Sequence, residues 1–305
     1  MGIERPEDFK PTRPVRVIIG AAGLGTRMGG DKPKVLQEVN GEPIIYHVLK
    51  ETRFLDKNPI VITRPDVWRD ALGNAGTGGS YVQIREALEQ GGFDAEYTFQ
   101  EYLKGDGYAV LSTKQLLKDF DGDVLVVWGD MAVLNPETVL WLTMMHQALD
   151  DIPLSIATAA KEHPYAPILE DEQRRVVGSK KGTDMLFGRD DVGVFIGDAV
   201  SIFRSLSDFP KDAKGDFINP YDNLSNKKGE INFVQIASIF ALEGKEVIAP
   251  PLADIREFQG VNDFAELNRA QQYRNEMARE RSRLNQMTGI FRRENIATLA
   301  IRQAA

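Results

Sequence analysis

The sequence contains no cysteine and only three histidines. Without thiols there is no disulfide framework, no thiolate zinc site and no cysteine nucleophile, and so few imidazoles argue against an all-histidine metal site. The lack of cysteine is compatible with a reducing cytoplasm. Long apolar runs are missing as well: none approaches the roughly 18 residues that span a bilayer. The start, Met1-Gly-Ile-Glu-Arg-Pro-Glu-Asp-Phe9, is too polar for a secretory signal. Nor is positive charge in excess. Acidic residues number 45 against 37 basic ones, a formal net charge of −8, which argues against gripping nucleic acid through the overall field. The expectation is a cytoplasmic protein with no membrane segment and no nucleic-acid partner.

What is present suits a well-cored protein. Of 305 residues, 42% are hydrophobic and 27% charged, which fits one large or two small domains. Residues 1–14 are polar and hold three prolines, so a flexible lead-in is expected there. Val15–Ile19 is a β-branched run that stops at a glycine-rich turn. Pro43–Leu55 then carries apolar residues at helical spacing. The alternation continues with a strand at Pro59–Thr63, a helix around Asp66–Leu72, a strand at Tyr97–Gln100 and a helix over Tyr108–Phe120. Val124–Trp128 is the most apolar strand and reads as a central, buried one, followed by a helix over Pro136–Leu149 with proline near its first turn. After Pro153–Thr158, the pairs Ile168-Leu169 and Val176-Val177 flank a polar turn and predict a β-hairpin insertion. Val192–Ile196, a helix over Val234–Leu242 and Val247-Ile248 resume the pattern. The fold class is therefore α/β: a Rossmann-like, mostly parallel sheet with helices on both faces. One domain spans 15–262, and 263–305 form a C-terminal helical tail whose arginine-rich stretch Arg274–Arg283 also holds glutamates, as a solvated face would.

The strongest local signal is Gly20-Ala-Ala-Gly-Leu-Gly-Thr-Arg-Met28, with Pro33-Lys34 after four intervening residues. A glycine turn straight after a strand lets backbone N–H groups approach phosphate oxygens, because no Cβ blocks contact. Gly23 and Gly25 supply that backbone, while Arg27 and Lys34 supply the positive charge that phosphoryl or nucleotidyl transfer needs. A Walker loop would require Gly-Lys-Ser/Thr, which is absent, and the dinucleotide fingerprint read from Gly23 has Met28 where its third glycine belongs.

This pattern resembles that of the sugar-1-phosphate nucleotidyltransferases, most closely the uridyltransferase (pyrophosphorylase) domain of bacterial N-acetylglucosamine-1-phosphate uridyltransferase. Further ordered matches support the resemblance. They are Gly41-Glu-Pro-Ile-Ile-Tyr-His-Val48, Gln100 with Gly105-Asp-Gly-Tyr-Ala109, Trp128-Gly-Asp-Met-Ala-Val-Leu134, Gly229-Glu230 and Glu257-Phe-Gln-Gly-Val-Asn262. The β-helical acetyltransferase domain of that family has no counterpart up to Ala305, so a monofunctional enzyme is expected, with 15–262 as the nucleotidyltransferase domain.

The resemblance implies attack by a sugar-1-phosphate oxygen on the α-phosphorus of a nucleoside triphosphate, UTP by the family pattern, with Mg²⁺ as cofactor and pyrophosphate as leaving group. It makes Arg27 and Lys34 the catalytic cations. Asp130 and Asn262 become the metal ligands, and a carboxylate just beyond the C-terminal end of the most buried strand is a sensible hard donor. Ala22, Gly23, Gly25, Thr26, Gln100, Gly105 and Asp106 become the nucleotide-binding set; the Gln100 amide can both donate and accept at a base edge. Asp106 replaces a threonine of the family, and its carboxylate could serve a uracil imide or a cytosine amine. The sugar side departs further. Asp191 stands for a sugar-binding asparagine and Val234 for a hydroxyl, Glu230 is kept, and the hairpin glutamate falls near Lys180. The sequence thus predicts that N-acetylglucosamine-1-phosphate is not the uniquely best acceptor, and that a sugar with an acidic group near Lys180 and Lys181 competes with it. Two readings stay open beside the leading one: a cytidylyltransferase or molybdopterin-type nucleotidyltransferase, and a non-catalytic nucleotide-sugar sensor. Nothing in the sequence specifies an oligomeric state.

Overall fold

The computed structural model describes residues 6–29, 32–180, 184–212, 217–221, 229–251, 253–258 and 260–303, with side chains of the last helix described as far as residue 283. In chain order the elements are β1 (Val15–Gly20), β2 (Glu38–Val39), β3 (Glu42–Pro43), α1 (Ile44–Thr52), β4 (Ile60–Thr63), β5 (Val67–Asp70), β6 (Ala75–Thr77), α2 (Tyr81–Gln90), β7 (Glu96–Phe99) and β8 (Tyr102–Leu103). There follow α3 (Asp106–Leu111), β9 (Asp123–Trp128), α4 (Pro136–Ala148), β10 (Leu154–Glu162), β11 (Ile168–Glu170), β12 (Val176–Ser179), β13 (Phe187–Asp198), α5 (Ala199–Ser207), α6 (Ile236–Leu242) and α7 (Phe264–Gln303).

The main sheet has the order β10-β13-β9-β1-β4-β7. Its β9–β1, β1–β4 and β4–β7 contacts are parallel, and β13 runs antiparallel between β9 and β10. Strands β1 and β9 lie centrally and are buried along nearly their whole length, as their Val and Ile content predicts. Residues of α3, α5 and α6 pack with one sheet face, and residues of α1, α2 and α4 with the other. Each fully buried Val or Ile contributes about 1.5–3 kcal/mol relative to exposure, so this two-sided burial is what makes a parallel sheet stable. β11 and β12 form the expected antiparallel hairpin.

Four expectations need correction. The helix around Asp66–Leu72 is instead strand β5. Val67 and Trp68 favour extended backbone, β6 and β8 pair with the strand on its two sides, and the Asp70 side chain accepts from the Leu72 and Asn74 amides to close a turn. The helix of this crossover is α2, which starts after Gly78-Gly-Ser80 and buries Ile84 and Leu88. The helix over Tyr108–Phe120 is helical only through Leu111. Beyond it, the Ser112 and Thr113 hydroxyls bond to the carbonyls of Ala109 and Val110, and the chain proceeds by three-residue turns to Phe120. Val247-Ile248 makes one parallel bridge, to Ser155, before Pro250-Pro251 removes two donors. Finally, the arginines of α7 are not all solvated. Arg274 bonds to the Ala132 carbonyl at 3.0 Å and to Glu51 at 2.8 Å, and Arg281 bonds to Asn135.

At the opposite end of the chain, the proposed lead-in touches the body: Phe9 meets the Phe54 ring, Thr12 donates to Gln147, and Arg13 pairs with Asp123 at 2.9 Å. Lys181 lies outside the described residues.

Glu257, in the short helical turn Ile255–Phe258, ties the end of the chain's α/β part to α4. Its fully buried carboxylate accepts from the Asn135 amide at 3.0 Å, the Thr138 hydroxyl at 2.8 Å and the Asp254 amide at 2.9 Å. Burial pushes its pKa up to about 7, with the three donors pulling the other way. A carboxyl raised in the folded state binds its proton more tightly there than in the unfolded chain, so this part of the stability is present below the unfolded pKa and lost as pH rises toward 7 and above. Chemical denaturation from about pH 5 to about pH 8 should show the wild type losing on the order of 2 kcal/mol. Glu257→Gln should be less stable throughout, since its NH₂ opposes a backbone donor, but flatter over that window. An equal slope in both proteins would remove Glu257 as the titrating group.

Candidate nucleotidyl-transfer site

The loop after β1 is fixed at both ends by the sheet. Ala21 donates to the Ile62 carbonyl at 2.9 Å, and Gly129, just past β9, donates to the Gly20 carbonyl at 2.8 Å. The loop and Asp130 therefore leave adjacent strands at the same edge, where open α/β sheets collect ligands. Gly25 has φ 61°, a left-handed conformation that caps the turn Thr26–Met28, and its backbone packs against Lys34. Gly23 differs. Its φ is outside that region and a Cβ there would meet nothing within 4 Å, so neither backbone strain nor packing accounts for glycine at this position.

Pro33 opens the turn Lys34–Leu36, whose Val35 and Leu36 side chains are buried and anchor the backbone. Lys34 is thereby held with its Nζ 2.5 Å from Asp130 Oδ2 and 3.0 Å from Asn262 Oδ1. Asn262 comes close because Met131 and Gly260 form a bridge and Val261 donates to the Asp130 carbonyl. Just beyond it, Asp263 accepts from the Glu266 amide and caps the start of α7, while the Glu266 carboxylate accepts from the Asn262 amide. Three residues far apart in sequence thus meet around one positive charge. Asp130 and Asn262 are hard oxygen donors already arranged about a cation, and the pair would suit a small divalent ion whose remaining ligands are water and phosphate. Among the described residues, no three His, Cys, Asp or Glu side chains gather into a site made by protein alone.

Two recesses meet at Asp130. One, about 410 Å³, is lined by Ala22, Gly23, Lys34, Gln100, Gly105, Asp106 and Glu230 among others. Its far wall is built from the Gln100–Gly105 segment. Gln100 Nε2 donates to the Gly105 carbonyl at 2.9 Å, and Gly105, with φ 91°, lies so close to the Ile231 carbonyl that a Cβ would come within 2.3 Å of it. The other recess, about 560 Å³, is lined by Arg27, Lys161, Tyr165, Asp190, Asp191, Val234, Asn262 and Glu266. Trp128 and Phe195 line it as well, and the Phe233 ring meets both of them edge to face. Asp106, Trp128 and Asp130 line both recesses.

The structure thus brings together Ala22, Gly23, Lys34, Gln100, Gly105, Asp106, Asp130 and Glu230 on one side, with Arg27, Asp191, Val234 and Asn262 on the other. Gly25 and Thr26 line neither recess; they shape the loop. Lys180, just past β12, also lines neither. Asp106 accepts from the Phe233 amide at 2.6 Å, so its carboxylate links the two walls. Sequence reasoning missed Lys161, Tyr165 and Asp190, which carry no motif. Asp190 is buried, accepts from the Tyr165 and Ala166 amides, and lies 3.7 Å from Lys161. It also missed Arg64 and Glu266. The first directly follows a parallel strand's C-terminal end, and the second stands three residues after a helix-capping aspartate; either spacing could have flagged them.

Residues 17–176 match the family model described as the MobA-like NTP transferase domain. The chain belongs to that family. It is accordingly a nucleotidyltransferase enzyme, and the glycine loop, Lys34 and Asp130 all fall inside the matched span. Curated relatives agree. The chain is 30% identical over 264 residues to the bifunctional protein GlmU of Thermodesulfovibrio yellowstonii, covering 84% of this chain and 51% of that protein. With GlmU of Enterococcus faecalis it shares 31% over 260 residues, covering 83% and 50%. The chain therefore spans about half the length of these relatives. Among solved structures, a putative glucose-1-phosphate thymidylyltransferase from Bacillus anthracis has a TM-score of 0.60 at 14% identity, covering 85% of this chain and 95% of that one. A CMP:2-keto-3-deoxy-manno-octonic acid synthetase has a TM-score of 0.56 at 14% identity, covering 87% and 99%. These two likenesses show the fold alone.

Because the fold places no steric demand on Gly23, a transferase with Gly23→Ala should keep its melting temperature within about 2 °C or gain slightly from a stiffer unfolded chain. Its affinity for the nucleoside triphosphate should fall at least about tenfold, since the new methyl projects where a phosphate or base would approach the backbone. Thermal melting beside triphosphate titration checks this; a large loss of stability with unchanged affinity would give Gly23 a purely structural part.

Proposed function

We propose that this protein transfers a nucleotidyl group from a nucleoside triphosphate, UTP foremost, to a sugar-1-phosphate, releasing pyrophosphate with Mg²⁺ as cofactor. The observation that carries this reading is the meeting of Lys34, Asp130 and Asn262 where the two recesses join. The loop recess receives the triphosphate, with the Gly23 backbone, Gln100 and Gly105 at its base and Lys34 toward its phosphates. The acceptor enters the second recess, so its phosphate oxygen faces the α-phosphorus near Asp130. Arg27, on the acceptor side, stabilises charge as it develops on the transferring group. A phosphate monoester is already an anionic nucleophile, so no side-chain base is needed, and positioning and charge do the catalytic work. Asp130 and Asn262 would hold Mg²⁺, which would supply positive charge against the phosphates. With those two oxygens on a metal ion, the Lys34 ammonium would pair with the triphosphate instead.

Pyrophosphate release should depend on Mg²⁺ and be abolished by EDTA. Asp130→Ala and Asn262→Ala should each lower turnover at least about a hundredfold with the fold intact, and Arg27→Ala should depress kcat and kcat/KM together by a similar factor. Activity that survives both ligand changes, or EDTA, sinks the metal assignment. A raised KM with unchanged kcat would make Arg27 a ground-state binder. Pairing each triphosphate in turn with the acceptor separates uridylyl from cytidylyl transfer, and binding with no pyrophosphate from any pair would favour the sensor reading.

For the acceptor, the altered sugar-side residues support a preference other than N-acetylglucosamine-1-phosphate alone. A cation for an acidic substituent is better sought in Lys161, which lines the recess with Asp191 and Val234, than in Lys180, which does not. Measured kcat/KM across neutral, N-acetylated and uronic sugar-1-phosphates should show a second sugar equal to or better than N-acetylglucosamine-1-phosphate. Lys161→Met should cost the uronic acceptor at least about tenfold more than a neutral one, as expected for one lost charged hydrogen bond. A clear preference for N-acetylglucosamine-1-phosphate, untouched by Lys161→Met, would mean these side chains do not read the sugar.

A further inference from the structure

Arg64 is a buried cation placed behind the glycine loop. It directly follows β4, is 5% exposed, and lines neither recess. Its Nη1 donates to the Ala22 carbonyl at 3.0 Å and the Gly23 carbonyl at 2.9 Å, and its Nε donates to the Gly78 carbonyl at 2.9 Å. The guanidinium carbon lies 5.9 Å from the Trp68 ring centre. Its own backbone is pinned in both directions by Ser80, whose hydroxyl accepts from the Arg64 amide and whose amide donates to the Arg64 carbonyl. The hydrogen bonds described for this guanidinium all end on neutral backbone carbonyls, and burial depresses its pKa accordingly. Core packing alone does not call for a charged group here; a Met or Leu would fill such a place without the desolvation cost.

What the charge accomplishes follows from peptide geometry. In a trans peptide the C=O of one residue and the N–H of the next point in opposite directions. When Arg64 draws the Ala22 and Gly23 carbonyls to itself, the amide N–H groups of Gly23 and Leu24 are turned away from it. Ala22, Gly23 and Leu24 line the loop recess, whereas Arg64 stands behind them. A glycine-containing loop is conformationally permissive, so without this clamp those two donors would sample many directions.

We propose that Arg64 is a positioning residue that presets the Gly23 and Leu24 amides as hydrogen-bond donors to the bound nucleoside triphosphate, and so sets both its affinity and the choice of base. The clamp also couples two segments that flank the nucleotide. Through Gly78 it holds the strand pair β5–β6, and Arg69 of β5 donates to the Glu101 carbonyl at 2.8 Å, one residue past Gln100. The loop and the wall carrying Gln100 are therefore kept in fixed relation, which is what discrimination between uracil and cytosine edges requires.

The proposal rests on the nucleotidyl-transfer reading, and the test separates the two. Wild-type protein titrated with UTP, CTP and TTP tests that reading: binding none of them would overturn the proposed function. Given binding, Arg64→Lys, which keeps the charge but loses the fork, and Arg64→Met should each raise KM for the preferred triphosphate at least about tenfold while kcat stays within about threefold. The preference for the best triphosphate over the next should shrink at least about fivefold. Added guanidinium ion at non-denaturing concentration should restore part of the affinity of Arg64→Ala. Folded variants with unchanged KM and unchanged base preference would overturn the inference. So would a wild-type NMR titration in which the Gly23 and Leu24 amide resonances do not move when the triphosphate is added, a readout that holds even where the variants fail to fold.

Discussion

The parallel ladder between β1 and β9 is the constraint on which the rest of this molecule depends. Its register runs from Val15 opposite Asp123 to Gly20 opposite Trp128, so both strands end at the same level. Gly129 then donates to the Gly20 carbonyl, which carries the pairing one step past the sheet. A slip of one residue would exchange the faces of the strand that slips and move the glycine loop relative to Asp130. Close packing on both faces makes such a slip costly, and the core thereby holds Lys34 and Asp130 close enough to form an ion pair.

The central sheet was legible because parallel strands covered on both faces must be runs of Val and Ile, and Val15–Ile19, Pro59–Thr63 and Val124–Trp128 are such runs. The hairpin was legible from its polar turn. Segments stabilised by partners distant in sequence were not. Val67–Asp70 is four residues long, too short for periodicity to separate strand from helix, and it is extended because β6 and β8 supply its hydrogen bonds. The helix after Gly105 stops early because Ser112 and Thr113 turn their hydroxyls onto backbone carbonyls, a competition that apolar spacing does not register.

The candidate site divides along the same line. Residues carried by a motif, such as Gly23 and Lys34 in the glycine loop, and Asp130 and Asn262 through the family resemblance, could be named from the sequence. The second recess is assembled from β10, β13 and the turn before β11, where Lys161, Tyr165 and Asp190 meet through strand pairing and one buried carboxylate. No local pattern encodes that meeting. The same limit explains why the sequence points to Lys180 and gives no sign of Lys161: the stretch around Lys180 has no firm anchor, whereas Lys161 is placed beside the second recess by the β10–β13 register.

Charge placement in the site follows a gradient of burial. Arg27 is exposed at the second recess, Lys34 is mostly buried between the Asp130 and Asn262 side-chain oxygens, and Arg64 is buried behind the loop on neutral carbonyls. An exposed guanidinium can move onto charge as it forms and is screened until then. A cation that contacts the carbonyls of the binding loop acts earlier, by orienting amides before any ligand arrives. Preorganisation of this kind spares the reorganisation that water or a mobile loop would otherwise require at the moment of reaction. On the proposed mechanism the three cations divide the work by depth: the deepest shapes the loop, the intermediate one neutralises phosphate, and the outermost follows the transferred group.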